Sequence, residues 1–254
     1  MLSFLNIKKI NNSSFPIVVA KNFISKSVAE KFKNEIAKVN NFDDLVMNGR
    51  YRLNKGSKNF NNFIARSKDL KKFYSKINTF KFYKELSTIL EKNFKHEHWA
   101  MANKIKKFSK INYGLQKGKK LTRNLEKKRI KNTLNLDIDF SASENGYFRA
   151  PHIDRETRII NFLLYLNDVK RKEGGQLEIY DIKNKKKNLG RFPEKKYLKK
   201  ISNLPPVAST FIFFKSTPNS YHGVSRFKSI NKRIFLYGSF SLNNKVVWKK
   251  NSKF

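Results

Sequence analysis

The chain has 254 residues, 39% of them hydrophobic and 23 of them phenylalanine, and a formal net charge of +37. That length supports one substantial domain, or one domain with a helical extension, and the aromatic content supplies a core. With no cysteine, disulfide frameworks, thiolate nucleophiles and thiolate metal sites are excluded.

Met1–Ile10 lacks the apolar core and small-residue cleavage site of a signal peptide. The longest apolar runs, such as Phe211–Phe214, fall far short of a bilayer. A cytoplasmic chain with no membrane span is the expectation. The 56 basic residues divide into 44 Lys and 12 Arg. Together with abundant Asn, Ile and Phe, that profile fits A/T-rich coding bias. Arginine is the residue suited to bidentate phosphate and base recognition. A lysine-led excess is therefore weak evidence for a nucleic-acid partner, and non-specific adhesion to polyanions at low salt is its expected consequence.

In chain order, Phe15–Ala20 suits a short buried strand. Ser25 or Ser27 can cap a helix whose Val28, Phe32, Ile36 and Val39 share a face. Residues 41–66 carry no clear pattern. Leu70, Phe73, Ile77, Phe80, Leu86, Leu90 and Phe94 recur at mostly helical spacing, with a break near Asn78-Thr79. Residues 104–131 are rich in Lys and Arg, contain one acid, Glu126, and are interrupted by Gly114 and Gly118. They suit a solvated loop with helical pieces, or a basic docking surface.

After Asn132 the texture changes. Leu134, Leu136, Ile138 and Phe140 alternate with polar residues, the period of a half-buried strand. Further strand-like runs are Arg158–Leu166, Gln176–Tyr180, Thr210–Phe214 and Arg233–Leu242, with turns at Glu173-Gly174-Gly175 and Leu204-Pro205-Pro206. Short strands divided by turns predict an antiparallel sandwich or jelly roll. The fold class is mainly β with a helical N-terminal part (α+β). Residues 1–131 are expected to pack as that helical part on the core of the same domain, and 132–254 to form the core.

The four histidines stand at 96, 98, 152 and 222. His152-Ile153-Asp154 places two potential ligands on one side of an extended segment, and His222 follows a predicted strand. Two imidazoles and a carboxylate form the facial set that holds Fe(II) in non-haem oxygenases, leaving positions open for other ligands. Arg233, 11 residues past His222, opens its own strand, where a guanidinium can take a dicarboxylate's far end through a forked pair. His96-x-His98 has no third ligand nearby in sequence and is better taken as structural or exposed.

The order of these features resembles the prolyl 4-hydroxylase-like branch of the Fe(II)/2-oxoglutarate-dependent oxygenase superfamily. The resemblance runs through Tyr147–Asp154, Arg158–Asn167, Gly174–Leu177, Pro205-Pro206, Phe211–Phe214, His222-Gly223-Val224 and Arg233, and faintly through Phe15–Val19. It implies a double-stranded β-helix (a jelly roll) with helices packed against one sheet. It also implies iron on His152, Asp154 and His222, with 2-oxoglutarate and O₂ as co-substrates. Tyr165 would join Arg233 at the distal carboxylate, or serve as a core tyrosine. Leu177 and Val224 would line the co-substrate pocket; Tyr147 would lie near the iron or simply pack. An aspartate at 154, where a small residue would leave room for halide, implies hydroxylation. The substrate implied is a prolyl residue of a protein, a small molecule or a sugar. The rival is a basic nucleic-acid- or polyanion-binding protein with a jelly-roll fold. Nucleic-acid demethylases of this superfamily carry a second arginine six residues after the first; here that position is Ser239. Oligomeric state is not legible.

Overall fold

The computed structural model describes residues 2–10, 13–46, 49–93, 108, 133–184, 189–242 and 247. Strands β1 (Asn6–Lys9) and β2 (Ile17–Lys21) lead into α1 (Lys26–Ala37). A hairpin of β3 (Asp44–Val46) and β4 (Arg50–Asn54) follows, then α2 (Lys58–Ala65), α3 (Lys68–Ile77) and α4 (Phe80–Asn93). The remaining strands are β5 (Leu134–Ser143), β6 (Arg149–His152), β7 (Arg158–Tyr165), β8 (Leu177–Ile182), β9 (Leu198–Leu204), β10 (Phe211–Lys215), β11 (His222–Val224) and β12 (Arg233–Leu242). They form an eight-stranded sheet, ordered β1-β2-β10-β7-β12-β5-β4-β3, and a four-stranded sheet, β6-β11-β8-β9. Every pairing within them is antiparallel.

Side-chain alternation sorts the large sheet into two faces. Val18 and Ala20 of β2, Phe162 and Leu164 of β7, Phe211 and Phe213 of β10, and Leu236 and Phe240 of β12 join the helices in the main core. Their neighbours Ile17, Val19, Leu163, Tyr165, Ile212, Phe214 and Phe235 turn the other way and meet Leu177 and Ile179 of β8 in a second core between the sheets. β5 shows the contrast most sharply. Leu134, Leu136, Ile138, Phe140 and Ala142 go to the helices, while Asp139, Ser141 and Ser143 are buried on the opposite face. The space between the sheets is therefore apolar at the β2–β10 side and polar toward β5.

Serine caps start the helices: Ser25 Oγ accepts from Val28 N, Ser57 Oγ from Phe60 N, and Ser67 Oγ from Leu70 N. The break at Asn78-Thr79 is present, with Thr79 Oγ1 accepting from Phe82 N. The patternless stretch 41–66 contains β3, β4 and α2, and the β3–β4 hairpin completes the edge of the large sheet through β4–β5 pairing. β9 (Leu198–Leu204) falls outside the strand-like runs expected from the sequence. The expectations at Phe94, His96, His98 and across 104–131 lie outside the described residues, Phe108 apart. Among the described residues no helix is long and apolar enough to cross a membrane.

Candidate metal centre and co-substrate site

Strands β6 and β11 are neighbours in the small sheet, and their register sets His152 directly opposite His222. Both imidazoles share a face, with ring centroids 4.4 Å apart. Asp154, two residues beyond His152, returns to that face by the strand period. One potential ligand atom from each of the three lies within 4.8 Å of the others, and all three residues are buried.

The hydrogen bonds leave the right atoms facing inward. His152 Nδ1 lies 2.9 Å from Ala150 O and His222 Nδ1 lies 2.9 Å from Ser220 O. Each backbone carbonyl takes the Nδ1 proton and leaves Nε2 with its lone pair. His222 Nε2 is 3.5 Å from Asp154 Oδ2, and that oxygen is buried with no hydrogen-bond partner. An orphaned carboxylate oxygen facing two imidazole nitrogens fits a divalent cation, and the N₂O set suits Fe(II). Arg149 Nε reaches His152 Nε2 only at 3.5 Å, a long contact that a metal would displace.

Electrostatics agree with that fit. Burial, with His222 next, pushes His152 down to about 3, and burial lowers His222 as well. The rings are neutral ligands at neutral pH. Burial raises Asp154, but Arg158, His222, His152 and Arg191, in that order, together outweigh it and hold the carboxyl at about 2. Arg158 Nη1 donates to Asp154 Oδ1 at 2.7 Å, so one oxygen is anchored and the other kept for the metal. The anchor continues inward: Arg158 donates to Tyr237 OH, Tyr237 OH donates to Asn161 Oδ1 at 3.2 Å, and Asn161 Nδ2 donates to Ser216 Oγ at 2.5 Å.

Arg233 opens β12 on the inner face and is 0% exposed. Its guanidinium carbon sits 4.1 Å from the Phe235 ring centroid and 5.1 Å from that of Tyr165. Nη2 donates to Tyr165 OH at 3.4 Å, while Nε and Nη1 are buried without a partner. A cation this deep with two unused donors calls for an anion, and the far carboxylate of 2-oxoglutarate fits it. Burial raises Tyr165 and Arg233 only partly counters it, so the phenol stays protonated and can donate to the same carboxylate. Leu177 lies in the inter-sheet core with Tyr165. Val224 and Tyr147 pack with Val169 and Phe227 in a separate small cluster. Tyr147 is also close enough to act electrostatically on Arg50, Arg149 and Tyr165, which puts it between that cluster and the site.

Sequence reasoning missed the residues around this core. Arg50 of β4 donates to Asp139 Oδ1 at 2.7 Å and to Ser141 Oγ at 2.9 Å, over the rings of Phe235 and Tyr237. Arg158 had one available signal, its position four residues after Asp154 at the head of a strand. Arg50 had none, since its segment matched no pattern.

The sequence profile of the 2OG-Fe(II) oxygenase superfamily matches residues 138–240, from β5 to β12, a span that carries His152, Asp154, His222 and Arg233. A prolyl 4-hydroxylase of Phytophthora capsici has a similar fold, with a TM-score of 0.55 and 14% identity over 94% of this chain and 62% of that one. A prolyl-4-hydroxylase of Pseudomonas putida aligns over 90% of this chain and 94% of its own, with a TM-score of 0.47 and 14% identity. HygX from Streptomyces hygroscopicus, solved with nickel and 2-oxoglutarate bound, aligns over 93% and 86% with a TM-score of 0.47 and 11% identity. At such identities a likeness concerns the fold alone. A search among curated proteins found no match.

Proposed function

We propose that the protein is an Fe(II)- and 2-oxoglutarate-dependent dioxygenase that hydroxylates its substrate. The observation that carries this is a pair of unfilled valences between the sheets. Asp154 Oδ2 faces two imidazoles with no partner, and Arg233 holds two buried N–H groups with none. Iron held by His152, Asp154 and His222 would supply, with 2-oxoglutarate and O₂, the oxidation of a C–H bond to C–OH, with succinate and CO₂ as co-products.

The chain's own residues do the positioning. Arg233 and Tyr165 take the distal carboxylate of 2-oxoglutarate, which points its keto acid end toward the histidines. Leu177 packs beside Tyr165, and Val224 pairs with Leu177 across β8 and β11; both serve the co-substrate's apolar methylenes. Phe214, 4.9 Å from the His222 ring, and Ile179, opposite His222, close the inner side of the centre to water. Aspartate at 154 fills the ligand position that a halide would need, which favours hydroxylation. The substrate classes consistent with this site are a prolyl residue of a protein, as the prolyl hydroxylases of similar fold suggest, and a small molecule or sugar.

The test is succinate release from 2-oxoglutarate by the purified protein with Fe(II) and ascorbate under air, including turnover without a substrate. Succinate should depend on Fe(II) and vanish in His222→Ala. Its absence from iron-loaded, folded protein would contradict the proposal.

A further inference from the structure

The iron and its co-substrate do not use up the positive charge around them. Six of the chain's twelve arginines gather at this site. Arg233 holds the inner end, while Arg50, Arg149, Arg155, Arg158 and Arg191 surround the metal ligands. Arg149 reaches His152, Arg158 pairs with Asp154, and Arg155 follows Asp154 in sequence. Arg191 is tied to the residue between the two ligands: Ile153 N donates to Arg191 O at 3.0 Å, and Arg191 Nε donates to Ile153 O at 3.1 Å.

The carboxylates that act most strongly on Arg158 are Asp154, Asp137 and Asp139, and Asp154 also acts on Arg149 and Arg191. The two charges of Fe(II) cancel the two of 2-oxoglutarate, and Arg233 adds one more cation. Loading the site therefore brings no net negative charge to these arginines.

This arginine cluster differs in kind from the lysine background. The charges acting most strongly on Arg149, Asp154, Arg158 and Arg191 come from arginine, aspartate, histidine and tyrosine, and no lysine is among them. In a chain with 44 lysines, coding bias would have put lysine here as elsewhere. Arginine offers a planar fork for carboxylate and phosphate that an ammonium lacks.

Phe192 fixes where the fork opens. Its ring is 60% exposed, yet it lies nearly parallel to His152, 6.2 Å away at 19°. The guanidinium carbons of Arg149 and Arg191 are 5.7 and 5.0 Å from its centroid. Among the described residues no carboxylate lies within ion-pair distance of Arg191.

We propose that the substrate carries a carboxylate or phosphate group, which Arg149 and Arg191 bind beside Phe192 so that a neighbouring C–H bond reaches the metal centre. The proposal rests on the oxygenase reading and adds the substrate's charge. It also identifies Arg149 and Arg191 as specificity-determining residues.

The experiment uses full-length protein loaded with Mn(II) and 2-oxoglutarate, at about 0.15 M salt to screen diffuse attraction. Two matched probe pairs are titrated by calorimetry: a proline hexapeptide flanked by Glu or by Gln, and glucose 6-phosphate or glucose. The anionic member of at least one pair should bind about tenfold or more tighter, the scale of one charge-assisted contact. The pair that responds tells a peptide from a phosphorylated small molecule. That ratio should collapse in Arg191→Gln and in Arg149→Gln, persist in part in Arg191→Lys, and persist fully in Lys195→Gln/Lys199→Gln, which removes two exposed charges. A ratio near one in both pairs overturns the proposal. So does a ratio that survives both arginine-to-glutamine variants, or one that falls as far in the lysine variant. Binding of 2-oxoglutarate to the Mn(II)-loaded wild type is read first. Its failure removes the oxygenase reading too; its success without an anion preference removes only the present inference.

Discussion

Asp154 serves two tasks with its two oxygens. Oδ1 is anchored by Arg158 and Oδ2 is left bare toward the histidines. Outer partners of this kind orient a metal ligand, and their loss typically weakens metal binding by about 10–100-fold. Arg158→Gln is expected to weaken Mn(II) binding by that range while the fold persists, as read by electron paramagnetic resonance titration; unchanged affinity would show the anchor to be idle. Arg233→Lys keeps a charge but loses the fork. It is expected to weaken 2-oxoglutarate binding by roughly tenfold or more, and Arg233→Gln by more still, on the scale of a charge-assisted hydrogen bond. Equal binding by Arg233→Lys would mean that the distal carboxylate lies elsewhere. His152, Asp154 and Arg233 were legible because a two-residue spacing and a strand-opening arginine are properties of sequence. Arg50 was not, because its role exists only once β4 is laid beside β5.

Among elements, β12 carries two demands on glycine that separate stability from binding. Gly238 opposes Phe162 across β7, and a Cβ there would meet the ring at 2.1 Å. Gly238→Ala must displace a core aromatic on the helix-facing side and is expected to cost about 1–3 kcal/mol, seen as a lower Tm. Gly175 has φ +73°, and a Cβ there would stand 2.9 Å from Arg233 Cδ. Gly175→Ala is expected to lose about 1–2 kcal/mol from the left-handed backbone and, unlike Gly238→Ala, to lower 2-oxoglutarate affinity by shifting Arg233. Matching losses of affinity in the two variants would contradict this division.

β5 was readable from its alternation, since one face meets the helices and the other is polar. β7 and β12 were readable as apolar runs, because they divide their side chains between two cores. The β3–β4 hairpin and β11 are three to five residues long. Over so few positions neither period is established, and partner strands define them instead. α2 was missed for a related reason. Its eight residues bury only Phe60, Phe63 and Ile64, too short a stripe to distinguish from a loop.

At the scale of the molecule, the helices and the large sheet hold the main core, and the site lies across the sheet from them. Metal and co-substrate bind the folded state, so saturation should stabilise it. At about 100-fold excess over Kd the gain is about 2.7 kcal/mol, visible as a rise in Tm that needs Mn(II) and 2-oxoglutarate together. The net charge of +37 acts at this scale as well, and its lysine-led make-up predicts only adhesive binding to duplex DNA, largely lost between about 50 and 200 mM salt. Sequence-selective binding that survived such salt would restore the polyanion-binding alternative.

The central claim is that His152, Asp154 and His222 hold a metal that presents 2-oxoglutarate to Arg233. Calorimetric titration of 2-oxoglutarate into protein with and without Mn(II), in the absence of O₂, tests it most directly. The account predicts one site per chain, metal-dependent binding, and its loss in both Asp154→Ala and Arg233→Gln. Binding that is absent from the metal-loaded wild type, or that ignores the metal and both substitutions, would contradict it.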